Sequence, residues 1–346
     1  MRPTLRHITL LLAALTIGTV NAQQLMRQTN ITRMGVPYGH YSGIAHVSDT
    51  LYAVVSDKDE ADGFHFLHVS IDSVTGKIRN VRRYEPSRYK ENQERSVRAN
   101  LPQRDMEGIA YRPSSGTFFI SGEADQRILE YSFDGLPTGR ELSVPSGFGT
   151  NDIQSNLGFE SLTYCDSTHL FWTTTEGTLK TDCTKHPLVR HLLSFTDGLQ
   201  PAKRYLYEMD APTEMDAPTK KKKTFRTFVH GISDMLAMND GSLVVMEREV
   251  LITRKYLGSY CIVKLYRVVP NDGTTPLHKQ LICQFRTSLK LGKLNFANYE
   301  GLCLGPTLAD CRQTILLIND SQNGQGNRLY RAKDYIKVIV LDVKKK

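Results

Sequence analysis

The 346-residue sequence has no C-x-x-C pair, and none of its six cysteines stands with a histidine at zinc-site spacing. A structural zinc centre is therefore excluded. It also lacks a G-x-S-x-G elbow, a Walker loop, an H-E-x-x-H pair and a G-x-G-x-x-G behind a strand. Those absences remove serine hydrolases of the α/β type, P-loop enzymes, zincins and dinucleotide-binding folds. No long amphipathic helical pattern occurs, which argues against an α/β chain. Apolar runs are scarce too. The run over residues 8–20 is short and broken by Thr and Gly, too little for a membrane span. It follows Arg2 and Arg6 and leads to Val20-Asn21-Ala22. That order predicts a signal peptide over 1–22 and an exported chain, periplasmic or secreted, starting at Gln23. No cysteine follows the cleavage point, so no lipid anchor is expected.

The formal charge of +8 is concentrated in lysines 220–223 and 344–346 and in the leader. Such blocks are solvated runs by default. With no interleaving of aromatic and basic residues, a nucleic-acid partner is not expected. The cysteines at 165, 183, 261, 283, 303 and 311 are even in number. In an exported chain this permits three disulfides, with pairing between sequence neighbours favoured.

What the sequence has is a repeat. Five segments share a start: Gly43-Ile44, Glu107-Gly108-Ile109, Glu160-Ser161-Leu162, Gly231-Ile232 and Glu300-Gly301-Leu302. A polar turn follows each, then β-rich runs over 51–56, 117–121, 169–175, 242–246 and 314–319. Third runs lie at 64–71, 128–133, 188–195, 262–268 and 336–343. Fourth runs lie at 78–84, 141–144, 203–207 and 280–285. β-Branched and aromatic residues dominate them, as strands require. Four-stranded meanders repeated along a chain predict an all-β propeller. Five units are visible, and a sixth has room only around 84–103 or 148–156. The last unit lacks a fourth strand, which residues 25–34 could supply and so close the ring. One domain over 23–346 is expected. The tandem EMDAPT over 208–213 and 214–219, with its lysines to 223, reads as an exposed low-complexity loop.

Aligned on the glycine, the units place Ser42, Glu107, Glu160, His230 and Glu300 just before it. At the end of each second run stand Asp57, Glu123, Glu176, Glu247 and Asp320. In an antiparallel hairpin these two positions lie side by side. In a propeller both sets converge on the central axis. Crowded carboxylates repel and need a compensating cation. Glu107, Glu123, Glu160, Glu176, Glu247, Glu300 and Asp320 are thus candidate ligands for a divalent metal, Ca²⁺ first. Glu107, Glu160, Glu300 and His230 are the candidate catalytic groups, His230 as a proton shuttle. Arg104, Arg127 and Arg248 are candidates for holding a substrate anion.

The blocks Arg104-Asp105-Met106-Glu107-Gly108-Ile109-Ala110-Tyr111, Ser121-Gly122-Glu123 and Gly158-Phe159-Glu160-Ser161-Leu162-Thr163 form an ordered set. With them go Gly231-Ile232-Ser233-Asp234, Val245-Met246-Glu247-Arg248, Asn298-Tyr299-Glu300-Gly301-Leu302 and Asn319-Asp320. Together they resemble the phytase-like family, "esterase-like activity of phytase", over roughly residues 35–343. The resemblance implies a bacterial exported propeller with phosphoester hydrolase activity on a small molecule. Position 161 is Ser where the family tends to have Gly. The residues also admit a propeller lactonase or carboxylesterase, and a ligand-binding propeller without catalysis. A monomer is expected.

Overall fold

A computed structural model describes residues 24–58, 63–84, 104–213, 225–327 and 330–341. The leader, both lysine runs and the second EMDAPT copy lie outside these residues. Two short strands, β1 (Gln24–Leu25) and β2 (Thr29–Asn30), precede a 3₁₀ turn at Thr32–Met34. The first sheet is β3 (Tyr41–Ser48), β4 (Leu51–Ser56), β5 (His65–Ile71) and β6 (Ile78–Tyr84). The second is β7 (Met106–Arg112), β8 (Thr117–Gly122), β9 (Arg127–Tyr131) and β10 (Pro137–Glu141). The third is β11 (Phe159–Cys165), β12 (Leu170–Thr175), β13 (Val189–Thr196) and β14 (Pro201–Glu208). The fourth is β15 (Phe225–Ala237), β16 (Leu243–Thr253), β17 (Tyr260–Val268), β18 (Lys279–Lys290) and β19 (Lys293–Leu294). The fifth is β20 (Asn298–Thr307), β21 (Gln313–Asp320) and β22 (Tyr335–Val340).

Each first strand touches the first strand of the next sheet, in the closed order β3, β7, β11, β15, β20 and back to β3. The molecule is a five-bladed propeller. Both β1 and β2 pair antiparallel with β22, so the N-terminal segment is the outer strand of the last blade, as its sequence position suggested. Residues 148–156 form turns without a strand, and the outer strand expected at 141–144 lies earlier, at Pro137–Glu141. Second strands such as β4, β8 and β21 are buried almost end to end, because neighbouring blades cover both faces. Outer strands such as β6 are mostly exposed. Among the described residues no helix is long and apolar enough to cross a membrane.

Every first strand carries a bulge, near its start in blades one, two, three and five. The extra residue is Ser42 in blade one, Glu160 in blade three and Glu300 in blade five, and the irregularity in blade two spans Glu107 and Gly108. A bulged residue is left out of the ladder and re-aimed, here toward the axis. In blade four the bulge falls between Ile232 and Asp234, so Ser233 takes that place. The next residue must let neighbouring backbones close in. A Cβ on Gly43 would lie 2.4 Å from the Glu107 carbonyl oxygen, and one on Gly108 2.6 Å from Leu162 N. Blade four has Asp234 there instead. Its fully buried carboxylate accepts the backbone N–H of Leu302 at 2.6 Å and of Met235 at 2.8 Å, and a further bond from Leu162. One side chain thus pins three inner strands. Burial nevertheless pushes its pKa well up, against those three bonds.

Two expectations are corrected. All six cysteines are free. Cys261 stands opposite Thr287 and Cys283 opposite Leu265. The pair is offset by four residues along one ladder, about 13 Å, beyond disulfide reach. The 208–223 segment is not an exposed loop at its start. Met209 is buried in the core between blades three and four, and Asp210 accepts from Lys264 at 2.9 Å and Lys279 at 2.7 Å.

The pinning role predicts that Asp234→Ala, which strands backbone donors on three blades, lowers stability by about 3 kcal/mol or more. Chemical denaturation reads the loss, and Asp234→Asn should cost less because it keeps an acceptor.

Candidate functional site

The bulges of blades two, three and five aim Glu107, Glu160 and Glu300 into a cavity of about 220 Å³ at one end of the axis. Seven carboxylates line it: Asp57, Asp105, Glu107, Glu123, Glu160, Glu176 and Glu300. Asp320, fully buried, completes the set beneath Gln322, whose backbone and side-chain nitrogens it accepts. Lys58 and Arg248 also line the cavity. Arg248 donates to Glu176, to Glu300 and to Asn298 Oδ1 at 3.2 Å. His40 Nδ1 stands 3.5 Å from Asp57 and 3.7 Å from Asp320, across the seam between blades one and five.

The register explains Arg248. Asp57, Glu123, Glu176 and Asp320 each close or directly follow a second strand, just past the bulge level. In blade four, counting from the Ser233 bulge, that place belongs to Arg248. Four blades offer an acid there and the fourth an arginine.

The crowd sets the protonation. Glu107 is pushed well up by burial, then by the charges of Glu160, Asp57, Glu300 and Glu123. Glu160 is pushed up by burial, then by Glu176 and Glu123, with Arg248 opposing. Burial lifts Glu300 to about 7 despite Arg248, and lifts Glu123 to about 7 despite the Gly158 N–H it accepts at 2.7 Å. Asp320 rises through burial and then Glu300 and Asp57, and Asp105 through burial and then Asp57.

Cation ligation fits this set. Ligand oxygens of Asp57, Asp105 and Glu107 lie within 4.8 Å of one another, as do those of Glu107, Glu123 and Glu160. Glu107 belongs to both groups. Asp57 Oδ1 and Asp105 Oδ1 are buried with no hydrogen-bond partner. Buried acceptors are costly to leave unsatisfied, and an all-oxygen donor set suits Ca²⁺ or Mg²⁺. The carboxylate clusters can therefore hold a metal.

Of the candidates from the sequence, Glu107, Glu123, Glu160, Glu176, Glu300 and Arg248 line the cavity, with Asp320 against it. Four do not come to it. Glu247 points between blades three and four, accepting Tyr207 Oη at 2.7 Å and Lys279 Nζ at 2.8 Å. His230 faces Arg190, Lys264, Asp210 and Lys279, and burial, then those cations, push it down to about 4. It is neutral at physiological pH and outside the cavity lining, so it is no shuttle for this site. Arg104 is buried on Asp125 at 2.7 Å and Tyr131 Oη at 3.0 Å, and Arg127 pairs with Glu141 at 2.7 Å. Neither lines the cavity. Sequence reasoning missed Asp105 and Arg226. Asp105 lies just before β7 at a left-handed φ of 54°, so strand alternation gave no signal for it.

The sequence matches the phytase-like family, described as "Esterase-like activity of phytase", over residues 36–322. No curated protein matches it. Among solved structures, a luciferin-regenerating enzyme is similar at 10% identity and a TM-score of 0.41, covering 93% of this chain and 98% of that one. An endo-arabinase from Bacteroides thetaiotaomicron has 10% identity and a TM-score of 0.41, covering 93% and 99%. The periplasmic gluconolactonase PpgL of Pseudomonas aeruginosa has 10% identity and a TM-score of 0.33, covering 85% and 71%. These likenesses are too distant to carry function, and the propeller rests on the sheet order above.

The charge crowding has measurable consequences for stability. In the metal-free native state Glu123 and Glu300 keep protons up to about pH 7 that the unfolded chain releases near 4.5. The native state then binds more protons, so stability falls as pH rises between those values. Melting with chelator across that window should show the fall, and Ca²⁺ should reverse it most at the alkaline end. Glu107→Gln should raise the melting temperature of the chelated protein and shrink its Ca²⁺-induced rise. Arg248→Met should cost about 3–5 kcal/mol, because it leaves Glu176 and Glu300 buried without their partner.

Proposed function

The chain belongs to the phytase-like family, and we propose that it is an exported, divalent-metal-dependent hydrolase of small phosphoesters, working in the axial cavity. The observation that carries this reading is the meeting of Asp57, Asp105 and Glu107, two of them with a buried oxygen lacking any hydrogen-bond partner. A metal would sit on those three residues, and Glu123 and Glu160 would hold a second through Glu107. When bound, it supplies positive charge to the ester oxygens and lowers the pKa of water at the site.

The chain's own residues supply the rest. Carboxylates alone would repel a phosphoester, so cation loading precedes substrate. Arg248 is held rigidly by Glu176, Glu300 and Asn298, and its buried Nε has no hydrogen-bond partner. The guanidinium lines the cavity, and its fixed positive charge suits a phosphoryl oxygen, where preorganised charge stabilises developing negative charge. Glu300, near 7 and in contact with Arg248, is poised to take or give a proton at neutral pH. Burial of the acids excludes water from these contacts and strengthens them.

The test is hydrolysis of p-nitrophenyl phosphate, bis(p-nitrophenyl) phosphate, p-nitrophenyl acetate and a γ-lactone, with and without chelator. Phosphoester turnover should vanish with chelator, return with Ca²⁺, and fall about 100-fold in kcat/KM in Arg248→Lys. Cleavage of the acetate or lactone alone would replace this reading with a carboxylic esterase or lactonase. Absence of all turnover in the Ca²⁺-loaded protein would leave a ligand-binding propeller.

A further inference from the structure

Blade four is built unlike the others. In blades one, two and three the first strand begins one residue before the bulge, and in blade five two before it. β15 begins eight residues before Ser233, and β16 runs five residues past Arg248. Five residues of strand rise about 17 Å, so this hairpin stands above the level of the acids. One face of it lines the cavity. Val229 lies directly across from Val250, Thr227 across from Ile252, and all four are cavity residues. The intervening Phe228 and Leu251 turn to the other face and pack with Tyr260 and Ile262. Thr227, Val229, Val250 and Ile252 therefore form a wall of branched side chains rising from Arg248. Arg226 lines the cavity beside them and donates to Tyr256 Oη at 3.2 Å.

The cavity is thus two-sided. Its floor is charged and suits a metal and an anion. Its wall offers no carboxylate, and its polar side-chain groups are the Thr227 hydroxyl and, at its outer end, Arg226, which donates to Tyr256. A hydroxyl set against Val229, Val250 and Ile252 would lose hydrogen bonds to water without replacing them. The volume sets a second limit. At about 220 Å³ the space is below the roughly 300 Å³ where pockets for drug-sized ligands begin. A small ester with an alkyl or aryl alcohol fits both constraints, and a polyphosphorylated ring fits neither.

We infer that the blade-four hairpin selects the alcohol half of the substrate, so that the preferred ligands are phosphoesters of small apolar alcohols, with Val229 and Ile252 as the selecting residues. The inference rests on reading the cavity as a phosphoester site, and its test is a binding experiment that does not require turnover. Calorimetry on the Ca²⁺-loaded protein compares butylphosphonate with 3-hydroxypropylphosphonate, which differ by one methyl-for-hydroxyl exchange. The butyl compound should bind about tenfold tighter or more, and myo-inositol hexakisphosphate should not displace it. In a Val229→Thr, Ile252→Thr double variant, which keeps β-branched side chains, the ratio should fall to within about threefold. Its melting temperature reports whether the hairpin remains folded. Equal binding of the two phosphonates, displacement by the hexakisphosphate, or an unchanged ratio in a folded double variant would overturn the inference. Tighter butylphosphonate binding without hydrolysis of butyl phosphate would sink the catalytic reading and leave the wall. Binding of neither phosphonate would sink both.

Discussion

Eight buried or half-buried carboxylates share one end of a closed ring with Arg248 and Lys58. Like charges at this density cannot all ionise, and the low dielectric around them magnifies the repulsion. The fold meets the cost in three ways. It holds protons on several acids, it sends one arginine across to Glu176 and Glu300, and it leaves oxygens of Asp57 and Asp105 without protein donors. The first two are internal and partial. The third leaves acceptors in clusters that can hold a cation.

The same ring that gathers the acids must bring five inner strands close together. Gly43 and Gly108 permit it by having no side chain, and Asp234 enforces it by reaching into the room the small residues leave. The floor of the site is therefore continuous with the axis itself. Glu107, Glu160 and Glu300 sit on bulges, the least regular points of these inner strands, and a bulge is the device that turns a strand residue out of its ladder toward a common point.

Much of this was legible in the sequence, because each blade repeats one buried pattern. The strands at 51–56 and 78–84 were found to the residue, and the fourth strand of the last blade was located at the N-terminus from the want of one elsewhere. Blade four defeated the same method for a physical reason. Alignment on Gly231 assumed that the glycine marks the bulge, whereas the bulge is Ser233 and Asp234 follows it. That slip put His230 and Glu247 in the site and hid Arg248's position. Glu247-Arg248-Glu249 also looked like a strand end. The structure buries all three within a continuing strand, since Glu247 meets Lys279, Arg248 meets Glu176 and Glu300, and Glu249 meets Tyr260. Pairing between distant strands, within blade four and across blades, is invisible to a local pattern.

The seam between blades one and five joins the two ends of the chain. Strands β1 and β2 lie on β22, and Asp57 faces Asp320 and Glu300 across the same junction, with His40 between the two aspartates. An ion on that side would touch the part of the polypeptide made early and lie beside the part made late. It would act as a clasp as well as a reagent. A chain whose fifth blade is not yet in place has no complete pocket, because Glu300 and Asp320 come from that blade.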